Sequence, residues 1–150
     1  MIDVEVFTEG TASLESDGID EKFFIEISSI VFNHTNTDNV SVSIILTDND
    51  EITKINNEYR DKNQSTDVIS FAYRDEPFPA HDGIMEELGD VYISIDKARE
   101  QAVEYHTTLV NELKRLTIHG LLHLLGYDHE KSDEDENKMN ALEQELFLIT

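Results

Sequence analysis

Residues 109–129, LVNELKRLTIHGLLHLLGYDH, contain one long helix together with the signal that stops it. Leu109, Leu113 and Leu116 recur at helical spacing from a start near Thr108. Leu121 and Leu124 add apolar surface on other sides of the same cylinder. A helix that is apolar on more than one side is packed from more than one side, so this one belongs at the centre of the fold. Gly126 ends it, because a glycine just past the last helical residue takes up the left-handed conformation that reverses the chain.

Working outward, strands and helices alternate. Ile2, Val4 and Val6 alternate with polar residues as in a half-buried strand. Asp20 caps a helix whose apolar face is Phe23, Phe24, Ile27, Ile30 and Val31, running to about Asn33 with His34 at its end. Val40, Val42 and Ile44 form a second strand, and Thr47 or Asp48 opens a helix carrying Ile52, Ile55 and Tyr59. A third strand covers Val68 to Tyr73, and the stretch from Arg74 to Leu88, with both prolines, reads as a loop. Val91, Ile93 and Ile95 make a fourth strand, and Asp96 caps a helix holding Ala98, Ala102 and Val103. Ser132 caps a last helix with Met139, Leu142 and Leu146 inward. This order predicts one α/β (α+β) domain over residues 1–150, with a mixed four-stranded sheet packed against about five helices.

Composition narrows the chemistry. With 150 residues and 39% hydrophobic content, one domain can bury about two thirds of its unfolded surface. There are no cysteines, which excludes disulfides and thiolate zinc sites and leaves histidine and carboxylate as the strong ligands. The N-terminal residues lack a basic region and an apolar stretch of signal-peptide length, and no apolar run reaches the roughly 18 residues of a membrane span. The expected compartment is the cytoplasm, with no membrane partner. The 33 acidic against 11 basic residues give a net charge of -22, which repels phosphate backbones at long range. Part of that acid, Asp133-Glu134-Asp135-Glu136, opens the last helix, where carboxylates suit the positive end of the helix dipole. Arg60, Lys62 and Arg74 bracket a short segment that could form a small cationic patch.

Half of the six histidines fall within eleven residues. His119 and His123 are four apart, so on a helix they leave the same face one turn apart. The turn at Gly126 lets His129 swing back as a third ligand. Three neutral imidazoles suit zinc, with nickel or copper next by ligand type, and leave an open coordination position, the mark of catalysis. The expected cofactor is one Zn2+ per chain on the central helix, with other divalent transition metals as alternatives. The spacing matches the zinc-protease motif H-E-x-x-H-x-x-G-x-x-H except that Gly120 replaces its glutamate. That glutamate takes the proton from water, so its loss argues against peptide hydrolysis. A phosphodiester depends less on such a base.

At these residues the chain resembles the YbeY endoribonucleases. His119 to His129 agrees with the family signature H-G-x-L-H-L-x-G-Y-D-H. A second block, Asn57-Glu58-Tyr59-Arg60-Asp61-Lys62 with Thr66-Asp67-Val68-Ile69-Ser70-Phe71, and a third, Leu88-Gly89-Asp90-Val91-Tyr92-Ile93-Ser94, also resemble the family. The resemblance implies a zinc-dependent, single-strand-specific endoribonuclease acting in 16S rRNA 3′-end maturation and ribosome quality control. It implies that His119, His123 and His129 bind zinc and that Arg60 is the catalytic arginine; Lys62, next to it in the cationic segment, is a candidate substrate contact. Its implied partners are single-stranded RNA or an rRNA precursor, the ribosome or its small subunit, and ribosomal or GTPase proteins.

Plainer readings stand beside these. Arg60, taken alone, is a helix-end cation, and Gly120 a position that permits close helix packing. Asp128 is a fourth ligand, a partner that orients an imidazole, or simply turn chemistry. His34, His81 and His106 are surface or core histidines. Two rival functions are a metallohydrolase of another class (a peptidase or small-molecule hydrolase recruiting Asp67 or Asp90 as base) and a non-catalytic, metal-containing ribosome assembly factor. Whether water or the RNA 2′-hydroxyl is the nucleophile stays open.

Overall fold

The computed structural model describes residues 1–12, 19–75, 85–128 and 132–150. Four strands, β1 (Ile2–Thr8), β2 (Val40–Thr47), β3 (Val68–Ala72) and β4 (Glu86–Ser94), form one mixed sheet in the order β1-β2-β4-β3. β1 and β4 both run parallel to β2, and β3 closes one edge antiparallel to β4. Five helices join them: α1 (Glu21–His34), α2 (Asn49–Arg60), α3 (Ile95–Glu104), α4 (Leu109–Leu124) and α5 (Asp133–Ile149). Each begins at a side-chain oxygen that accepts from a backbone N–H of the first turn, on Asp20, Asp48, Ser94, Thr108 and Ser132 in turn. Such a cap contributes about 0.5–2 kcal/mol per helix.

The helix around the histidines is central, as its leucines require. α4 packs on α1, α3, α5, β3 and β4, and Leu113, Leu116, Leu121, Leu122 and Leu124 are all buried. It ends at Leu124, with Gly126 at φ +97° just beyond.

Several boundaries differ from the sequence reading. β3 stops at Ala72, and Tyr73–Asp75 form a single 3-10 turn. The expected loop from Arg74 to Leu88 already contains the start of β4 at Glu86. A bulge hides that start, since Ser41 pairs with Glu87 but Val42 with Gly89, so Leu88 is an extra residue that breaks the period of two. At the other end the alternation runs on too far. Ile95 is the first residue of α3, not the end of a strand, and the cap is Ser94, not Asp96. Ser94 Oγ accepts from Lys97 N at 3.1 Å, while Asp96 accepts from Asn49 N at 3.1 Å and so ties α3 to α2. Val103 and Tyr59, which continue the apolar spacing of their helices, are 78% and 63% exposed. Their helices meet neighbours on a narrow stripe only. No described helix is long and apolar enough to cross a membrane.

Candidate active site

His119 and His123 project from the last turns of α4, and their Nε2 atoms stand 3.1 Å apart. What holds them there is a carboxylate from another helix. Glu143 of α5 lies 2.6 Å from His119 Nδ1. With Nδ1–H donated to Glu143, the lone pair of His119 sits on Nε2 and points toward His123. The sequence reading missed Glu143, although a signal existed. Met139, Leu142, Glu143 and Leu146 follow the spacing of a buried helix face, so a carboxylate occupies a position where an apolar residue is expected.

This arrangement fits a transition metal by geometry and donor type. Two nitrogens bound at about 2.0–2.1 Å to one tetrahedral ion stand about 3.3 Å apart, close to the observed spacing. The carboxylate behind His119 is the partner that metal-bound imidazoles commonly have. Among the described residues no group of three ligand-type side chains is assembled. His129, expected as the third, lies outside the described residues, as does His81.

The pair opens into a cleft of about 490 Å³. β3 forms its floor from Val68 to Ala72, and Arg60, Asp67, Asp75 and Asp128 also line it. Arg60 is the last residue of α2, where the negative end of the helix dipole favours a cation. Asp61 takes up φ +59° directly after it. Asn56 then fixes the loop, accepting from Lys62 N through its carbonyl and donating from Nδ2 to Gln64 O at 2.9 Å. The chain is thus turned so that Arg60 reaches the cleft.

The expected cationic patch of Arg60, Lys62 and Arg74 does not form. Arg74 is locked by two hydrogen bonds to Glu86, at 2.7 and 2.8 Å. Lys62 is exposed and absent from the cleft lining. Among the described residues Arg60 makes no ion pair, unlike Arg74 and Arg115.

Of the two aspartates considered as recruited bases, only Asp67 lines the cleft. Its Oδ1 accepts from Val68 N at 2.8 Å, and its Oδ2 accepts from Gln101 Nε2 at 3.3 Å with Arg115 at 3.9 Å. Gln101 and Arg115 both also hold Glu112, which is 1% exposed. Burial pushes the Glu112 carboxyl up, but hydrogen bonds from Arg115 and Gln101 outweigh it and leave the pKa below the ordinary value. Asp67 is therefore braced by a network that reaches α3 and α4. Asp90 sits on the opposite sheet face, where it accepts from Tyr73 Oη at 2.8 Å. Burial, reinforced by Asp90, pushes the Tyr73 phenol up to about 12. His34 faces Glu145 at 3.3 Å and His106 is exposed, so neither joins the cleft.

Gly120 has the packing role considered for it. A Cβ there would stand 2.6 Å from Val91 Cγ1 and 3.3 Å from Ser70 Oγ. α4 can lie this close to β3 and β4 only without a side chain at that position, and closeness brings the histidines to the floor of the cleft.

Known proteins resemble this chain in sequence and fold. A family model described as Endoribonuclease YbeY matches residues 11–149. Endoribonuclease YbeY of Sulfurihydrogenibium sp. is 44% identical over 132 residues, 88% of this chain and 84% of that protein. The protein of the same name from Oenococcus oeni is 38% identical over 147 residues, covering 97% and 95%. A solution structure from Thermotoga maritima matches with a TM-score of 0.62 and 27% identity, over 96% of this chain and 86% of that one. With a central helix carrying the paired histidines, an arginine across the cleft and a family match over nearly its whole length, this chain belongs to the YbeY endoribonuclease family.

Proposed function

We propose that the cleft beside β3 is the catalytic site of a zinc-dependent endoribonuclease that cuts single-stranded RNA in 16S rRNA 3′-end maturation and ribosome quality control. Family membership supports the metal-dependent RNA cleavage. The observation that carries the site is the convergence of His119, His123 and Arg60 on one cleft. In this reading His119, His123 and His129 hold one zinc ion per chain. When bound, the metal supplies Lewis acidity at the phosphodiester.

The protein's own groups do the rest. Glu143 keeps His119 in one tautomer and orientation. Arg60 presents a planar, permanently charged fork that donates hydrogen bonds to the non-bridging phosphate oxygens as negative charge builds there. Lys62, outside the cleft lining, contacts the strand further along. Gly120 leaves no carboxylate on the helix to serve as base, which separates this site from peptide hydrolysis.

A net charge of -22 opposes capture of free RNA. Docking therefore relies on the ribosome or its small subunit, and on ribosomal or GTPase proteins that bring the precursor to the cleft. Such a substrate places the protein in the cytoplasm.

Arg60→Ala tests the assignment. It should keep fold and metal content yet lower cleavage of single-stranded RNA at least about tenfold, with Arg60→Lys restoring only part because a point charge lacks the fork geometry. Cleavage equal to the parent by Arg60→Ala would refute the role. A further expectation concerns Glu143. Glu143→Ala should weaken zinc binding about 10–100-fold in competition with a chelator, as loss of an imidazole's carboxylate partner does elsewhere. Unchanged affinity would make that contact incidental to the metal.

A further inference from the structure

We propose that the outer edge of β3 at Ser70 is a subsite for an unpaired nucleobase, which it holds through its main-chain N–H and C=O. The inference rests on the RNA-cleaving function proposed above and explains how that site selects single strands.

The register of β3 determines which backbone groups face the cleft. Ser94 N donates to Asp67 O at 2.9 Å, and the antiparallel pairing continues as Val68 with Ile93, Ile69 with Tyr92, Ser70 with Val91 and Phe71 with Asp90. In an antiparallel ladder hydrogen-bonded and non-hydrogen-bonded pairs alternate. The Asp67–Ser94 bond therefore makes Ile69 and Phe71 the bonded residues, and Val68, Ser70 and Ala72 turn their N–H and C=O away from β4. Among the described residues no strand lies beyond, because β3 is the edge of the sheet. Among these residues the N–H of Val68 is already taken by Asp67 Oδ1. The side chain of Ser70 is occupied as well, donating to Gly120 O at 3.3 Å. The main-chain N–H and C=O of Ser70 have no partner among the described residues. They open on the cleft that Arg60, His119 and His123 line.

An edge that offers a donor beside an acceptor needs a ligand with the complementary pair. Every nucleobase carries one on its Watson–Crick edge, so the subsite accepts any base that is not already paired. In a duplex that edge is consumed, and the major groove of an A-form helix is too deep and narrow for a strand edge to enter. Selection falls on strandedness rather than on sequence. An extended polypeptide could also add to a bare strand edge. RNA is favoured here because an arginine without an ion pair among the described residues shares the cleft, a match for phosphate, and because Gly120 leaves the helix without a base for peptide chemistry.

Amide hydrogen exchange on the isotope-labelled, zinc-loaded full chain tests this directly and needs no variant. The probe is a single-stranded oligonucleotide with 2′-O-methyl riboses and phosphorothioate linkages, which resists cleavage. Exchange at the Ser70 amide should slow at least about tenfold on binding, while Ile69 and Phe71, already bonded to β4, change little. The same backbone with abasic sites, or the probe annealed to its complement, should leave Ser70 unprotected. Protection that persists with the abasic strand, or that appears only with an extended peptide, overturns the proposal. Cleavage of the matching unmodified RNA by the same preparation separates the two failures. RNA cut without Ser70 protection refutes this subsite alone, whereas no cleavage at all refutes the function on which it rests.

Discussion

Alanine at His119 or His123 should abolish stoichiometric zinc binding and RNA cleavage with it. The two Nε2 atoms stand 3.1 Å apart, so losing either breaks the preorganised pair on α4 and leaves a single helical imidazole to act with His129. His129→Ala should weaken binding strongly while leaving the helical pair in place, since two ligands hold a metal less well than three. The fold should survive all three changes. The packing of α4 comes from its buried leucines rather than from the imidazoles, and the His119 side chain remains 20% exposed. Elemental analysis of purified variants, with circular dichroism to confirm the fold, decides the matter. Unchanged metal content in all three would leave the histidines without the proposed role.

Gly120→Glu should fail for two separable reasons. The first is steric: a Cβ at position 120 meets Val91 Cγ1 at 2.6 Å, and both residues lie in the tight contact between α4 and β4. Overpacking a closed interface costs about 1–3 kcal/mol, and a carboxylate forced into it costs more. A total near 3 kcal/mol would lower Tm by about 6–12 °C in a chain of this size. The second is chemical, because the added carboxylate enters a cleft not shaped around a peptide and should yield no useful peptidase activity. A Gly120→Ala, Val91→Ala pair separates the effects. If the clash is the cause, the double variant loses less stability than the sum of the single ones. Peptide hydrolysis by the parent chain, or a Gly120→Glu protein as stable as the parent, would contradict this account of Gly120.

Features written in short-range patterns were legible without coordinates. The caps at Asp20 and Ser132, the start of the long helix near Thr108, its stop at Gly126 and its central place follow from residues within a turn or two of one another. The mixed four-stranded sheet with five helices follows from the alternation of two periodicities. The histidine pair belongs to the same class, since i and i+4 share a face wherever a helix forms. Misreadings arose where a local pattern crossed a boundary. Ile95 continued the alternation of β4 although it begins α3, and the bulge at Leu88 concealed the first residues of that strand.

What joins distant segments was decided by tertiary packing alone. Glu143 reaches His119 across 24 positions, Gly120 is constrained by Val91 on another element, and Asp67 rather than Asp90 lines the cleft because it sits just ahead of β3, held by Gln101 of α3, whereas Asp90 is turned to Tyr73. The cationic patch suggested by Arg60, Lys62 and Arg74 dissolved for the same reason, once Glu86 on β4 claimed Arg74. The sequence by itself determined the elements, their order and the paired imidazoles, because hydrogen-bonded periodicity is a local property of the chain. Only the tertiary structure decided which carboxylate backs which histidine, which arginine lines the cleft and which strand ends the sheet among the described residues. Those outcomes depend on sheet register and helix packing, set by the burial of many side chains at once.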